Sequence, residues 1–171
     1  MVEDSLILKG KGIKISLAIA RYFMASQFLW AFLDKLFGLG FATPLGKGWI
    51  NGGSPTYGFL KKGSSGPFVP IFNSIGGTGI VDWLFMLGLL FIGLALLLGI
   101  GMKIATISGS ILLFFMWAAT LPKPNNIFQI DEHAVYILVL FILMFLKAGN
   151  YAGLGRIWSK TKLVQRYPGF E

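Results

Sequence analysis

The chain is predicted to be all-α and integral to a membrane, a four-helix bundle with both termini in the cytoplasm. Three observations carry this reading. Of 171 residues, 55% are apolar and only 13% charged, and the mean hydropathy is +0.72; such a chain needs lipid to cover what its own core cannot. Four segments, roughly 13–37, 80–100, 104–121 and 126–146, approach the length that crosses about 30 Å of hydrocarbon. Lys and Arg are distributed unevenly around them. Nine (positions 9, 11, 14, 103, 147, 156, 160, 162 and 166) fall on the side of both termini and five (35, 47, 61, 62 and 123) on the other, with Arg21 inside the first segment. That bias sets the termini inside and makes the cell membrane the expected location, with residues 1–171 forming one domain. The net charge of +8 then reflects this bias and contact with anionic membrane lipid, and nucleic acid is not an expected partner.

The first span could be mistaken for a secretory leader, since Lys9, Lys11 and Lys14 precede an apolar stretch with Ala18 and Ala20. The apolar character continues past Arg21 to Leu33, so a retained helix is expected. The connection 38–79 is too long for a turn and too apolar for disorder. Within it, Ser54-Pro55 and Gly66-Pro67 read as helix starts, with Gly63 and Gly76 as stops. Two short helices, near 55–62 and 67–75, are expected to cap the outer mouth of the bundle. Only "GIGMK" (99–103) separates the second and third spans, which predicts a tight hairpin, and Pro122 and Pro124 end the third. Gly88, Gly93, Ala95 and Gly99, with Ser108, Gly109 and Ser110, allow helices to approach closely. Residues 147–171 form a cytoplasmic tail.

The fourth span poses the functional question. Its uninterrupted apolar run, Ala134 to Leu146, makes only about 20 Å of helix against a core of about 30 Å. A helix that crosses fully should begin near Asn126, which draws Asp131, Glu132 and His133 into the bilayer edge. Asn126, Gln129, His133 and Tyr136 then share one face, with Glu132 at its margin. Such a stripe is either a structural hydrogen-bond network or a site of chemistry. A third reading starts the helix at Asp131, with the acids favouring its N-terminus. As chemistry, His133 with Asp131 or Glu132 suits proton delivery. Lys35, Lys47, Lys61 and Lys62, with Trp49, stand on the same side and suit a small oxyanion. Arg21 is either a further cation for that anion or a side chain snorkelling inward. The absence of cysteine and the single histidine remove disulfides, thiolate sites and dithiol relays, and no metal centre is expected.

The stretches "RYFMASQFLWAFLDKLFG" (21–38), "GWINGGSPTYGFL" (48–60), "GLALLLGIGMKIA" (93–105) and "DEHAVYILVL" (131–140) resemble the DoxX/DoxD family of four-helix membrane proteins. The GW-x-x-G-x-PT-x-GFL run resembles its DoxD branch, the large subunit of thiosulfate:quinone oxidoreductase. The resemblance implies oxidation of thiosulfate to tetrathionate outside, membrane quinone as electron acceptor, and a second small subunit, with a homo-oligomer as the alternative assembly. Where many members carry an acid after the glycine of span two, this chain has Gly88 and Leu89. Joining two thiosulfates releases two electrons and no protons, whereas quinone reduction takes up two of each, so a proton donor is needed beside the ring. His133 and the acids would fill that role, with Gln129 and Tyr136 beside the quinone. Two other readings stand next to this one: a non-catalytic membrane partner that anchors a redox or stress-response complex, and a four-helix protein that binds a small molecule or lipid.

Overall fold

The computed structural model describes residues 2–122 and 128–170, with side chains from residue 10 onward. It is all-helical among these residues. Three helices are long and apolar enough to cross a membrane: α1 (Val2–Phe37), within which Gly10–Phe37 is the apolar part, α3 (Gly79–Leu98) and α4 (Met102–Ala119). Between α1 and α3 lies the short α2 (Val69–Ile75), and the chain ends with α5 (Glu132–Phe145), α6 (Gly155–Trp158) and α7 (Lys162–Arg166).

The long helices are apolar nearly all round, and this settles how they can pack. Met24, Ala25 and Phe28 of α1, Leu89, Ile92 and Leu96 of α3, Met102, Ala105 and Leu113 of α4, and Leu140 and Leu143 of α5 build one core. Ile13, Phe23, Leu84, Phe91, Ile111, Phe115 and Leu138 point outward. Apolar residues on both faces are what a lipid-facing helix requires. In contact terms α1 lies on α3, α3 on α4, α4 on α5, and α5 returns to α1. Small residues set the spacing. A Cβ on Gly93 would stand 2.7 Å from Leu29 Cγ, and one on Gly109 3.1 Å from Leu140 Cδ1. Thr106, fully buried, donates from Oγ1 to the Leu140 carbonyl (3.2 Å) and ties α4 to α5.

The expected hairpin is present. α3 stops at Gly99, whose left-handed φ of 72° lets its N–H reach the Ala95 carbonyl (2.8 Å), and α4 resumes at Met102. The 38–79 connection is ordered but starts its helices later than expected. Ser54 Oγ accepts from Tyr57 N (3.1 Å) as a helix start would, yet 55–57 is mostly turn and a π turn follows at Gly58–Lys62. The second helix is α2, whose buried Phe72 packs on Ala118 and Ala119 at the end of α4. Ser65 N donates to the Ala119 carbonyl (2.8 Å), so this cap is also stitched to α4 through its backbone.

The fourth helix corrects the expectation of a span over 126–146. α5 begins at Glu132, because Asp131 is extended (φ −134°) and its side chain accepts from the His133 and Ala134 amides at 3.1 and 3.3 Å. This carboxylate N-cap satisfies two of the helix's first amides and leaves no reason to extend it. Gln129, at φ 57°, is left-handed and lies off any helix. The polar stripe that placed Gln129 on a helical face with His133 is therefore absent, and Asn126, its proposed first member, lies outside the described residues. The helix that starts after an acidic cap at Asp131 is the one observed.

Candidate functional site

The end of α4 that carries the cap also receives the segment leading into α5. Trp117, which packs beside Phe72, Phe59 and Leu60, donates its indole N–H to the Gln129 carbonyl (2.7 Å). Two residues on, Asp131 turns the chain into α5. Cap, α4 and the Asp131 segment thus meet around one tryptophan.

His133 sits in the first turn of α5 with its side chain 13% exposed, and Asp131 is 10% exposed. Asp131 Oδ2 lies 3.1 Å from His133 Nδ1. The tautomer protonated on Nδ1 lets that nitrogen donate to the carboxylate and leaves Nε2 as an acceptor. Glu132 Oε1 is 4.0 Å from the same nitrogen, on a side chain 66% exposed. One turn along, Tyr136 is half-buried against the core. His133 and Tyr136 retain the spacing that places them on one helical face; Gln129 meets Trp117 through its backbone carbonyl. Asp131, Glu132 and His133 offer ligand atoms within 4.8 Å of one another. Among the three, Asp131 and His133 are joined by a hydrogen bond as an acid–base pair.

The proposed anion-binding residues occupy several places. Lys35 is half-buried, with Nζ 5.7 Å from the Phe85 ring centre. Trp49 stands edge-on to Trp83, centroids 4.5 Å apart. Lys61 and Lys62 flank Tyr57 at 5.5 and 5.7 Å and are exposed, as is Lys47.

Arg21 is corrected outright as an anion-binding residue. It is fully buried toward the opposite end of the molecule. It donates to the Leu96 and Leu97 carbonyls at the end of α3 and to those of Tyr151 (3.2 Å) and Ala152 (2.9 Å) in the tail, and its guanidinium lies 4.5 Å from the Tyr22 ring centre. Carbonyls occupy both terminal nitrogens, as helix C-termini attract cations, while the buried Nε has no partner among the described residues.

Two acids matter more than their sequence positions suggested. Asp82, buried in the first turn of α3, accepts from Ser54 Oγ (2.9 Å), Thr56 N (3.1 Å) and Thr56 Oγ1, while Thr56 Oγ1 in turn accepts from Gly77 N (3.0 Å). Asp34, 1% exposed, accepts from the Thr43 and Phe41 amides at 2.8 and 3.3 Å. Both carboxylates hold the connection onto the helices. The available signal was a charge at an apolar helix end facing a loop rich in hydroxyls, since such a charge needs partners. Comparison with protein-family models, with curated proteins and with solved structures found no match.

Proposed function

We propose that the chain is the membrane subunit of a quinone-linked oxidoreductase, with four crossings, both termini cytoplasmic, and the Asp131–His133 pair delivering protons to the quinone at the outer edge of the bilayer. The observation that carries the reading is the pair itself. An imidazole is held at Nδ1 by a largely buried carboxylate, leaving Nε2 to exchange a proton, and it lies one helical turn from a half-buried tyrosine. His133 Nε2 gives a proton to a quinone oxygen and recovers it from water; Tyr136 offers its ring and hydroxyl to the same head group. The resemblance to the DoxD branch supplies the electron donor in this proposal, thiosulfate, for which the exposed lysines of the cap reduce the repulsion between two dianions.

The chain's other buried charges favour a second reading, a non-catalytic membrane anchor. Arg21, Asp34 and Asp82 are all engaged by partners within the chain and serve the fold. Quinone extraction from protein purified in mild detergent separates the two readings. The proton-delivery proposal expects bound quinone in the wild type, and in His133→Ala a folded protein that reduces quinone much more slowly. No bound quinone, or a His133→Ala protein whose only defect is a lower melting temperature, would leave the anchor.

A further inference from the structure

At the end of the molecule opposite the cap, the helix ends and the tail enclose an open depression. Its floor is backbone. Gly99 closes α3, Gly149 follows α5, and Gly155 opens α6, so closely that a Cβ on Gly149 would be 2.4 Å from the Gly99 carbonyl oxygen. Leu154 N donates to the Leu98 carbonyl (2.8 Å) and seals the tail to α3. Met102 and Met144 form apolar walls, and Lys103, Lys147, Asn150 and Trp158 stand around the opening. The depression begins one residue beyond the end of α3, a helix of 20 residues, which spans about 30 Å. In a membrane this is the level of lipid phosphates.

The surroundings point the same way. Residues 147–171 contain five Lys or Arg and one acid, Glu171. They fold back on themselves, since Trp158 Nε1 donates to the Phe170 carbonyl (2.6 Å) and Lys103 Nζ to that of Pro168 (2.9 Å). Ile157, Leu163, Tyr167 and Phe170 remain exposed beside those cations. A basic surface with interleaved apolar and aromatic side chains matches an interface made of acyl chains below and phosphates above.

We infer that this depression is a binding site for a phosphate-bearing anion, the head group of an anionic phospholipid, with Lys103 and Lys147 facing the phosphate, Trp158 against the glycerol region and Met102 and Met144 against the first acyl carbons. The site needs only that the helices cross a bilayer and is independent of the redox proposal.

Native mass spectrometry of the full chain, released from mixed phosphatidylcholine and phosphatidylglycerol, tests it. The wild type should retain phosphatidylglycerol preferentially. Lys103→Gln with Lys147→Gln should lower that preference by roughly tenfold or more, the effect of removing two cations near the phosphates, while the paired arginine substitutions keep it. Phosphatidylglycerol should also raise the wild-type melting temperature, and inorganic phosphate should not. No lipid preference in the wild type overturns the site whether or not the glutamine variant folds. Equal retention by a folded glutamine variant overturns the assignment to these lysines, and stabilisation by inorganic phosphate alone overturns a lipid source.

Discussion

A carboxylate in the first turn of an apolar helix needs donors, and Asp82 finds them in the Ser54 and Thr56 hydroxyls and the Thr56 amide. Thr56→Val removes a donor to Asp82 and an acceptor for Gly77. It should destabilise the protein by about 1–3 kcal/mol, the cost of leaving buried polar groups unpaired. Limited proteolysis should find the 38–79 connection cut sooner in that variant. Unchanged cutting would mean that the apolar contacts of Phe72 alone hold the cap. Arg21 is the more demanding case. Arg21→Met removes a donor from four carbonyls, of which that of Ala152 keeps the Tyr22 hydroxyl, and should cost about 3 kcal/mol or more in thermal unfolding, since each orphaned buried acceptor costs roughly 1–3 kcal/mol. Arg21→Lys should recover only part of this, because an ammonium cannot reach all the carbonyls that the planar guanidinium fork does.

At the level of the helices, Asp131 is both cap and partner of His133, and substitutions can separate the roles. Asp131→Ala should lower stability by about 1 kcal/mol. Asp131→Asn keeps an oxygen for the amides but removes the charge beside Nδ1; thermal unfolding should change little while, under the proton-delivery proposal, quinone reduction falls. Equal losses of both in the two variants would show that the carboxylate acts only as a cap. The start of α5 was not legible in sequence because an acid ahead of an apolar run fits both an N-cap and a residue drawn into the bilayer. Bilayer thickness argued for the longer helix; the local hydrogen bonds of Asp131 prevail. The α3–α4 hairpin was legible because Gly99 and Gly101 leave almost no chain for anything else. Of the candidate site, the grouping of two acids with His133 could be read from the sequence, but not which acid pairs with the imidazole, since that follows from Asp131 lying outside the helix. The partners of Arg21 and Asp82 could not, since they lie 75 to 131 and 26 to 28 residues away in the chain.

For the whole molecule, the cap and the depression lined by Lys103 and Lys147 lie at opposite ends of the helices, so orientation decides which compartment each meets. The chain has no cysteine, which allows single cysteines at Lys61 and Lys160 to report cleanly. The charge bias expects an impermeant thiol reagent on intact cells to label position 61 and spare 160; labelling of 160 alone or of both equally would overturn the proposed topology. The buried arginine also bears on how the protein is made. The Tyr151 and Ala152 carbonyls that complete its shell are synthesised about 130 residues after Arg21, on the order of ten seconds later at ordinary ribosomal rates. Throughout that interval the first helix carries a guanidinium whose final acceptors do not yet exist. Until the tail is made, lipid phosphates at the bilayer surface are the acceptors within reach of a long side chain that snorkels outward.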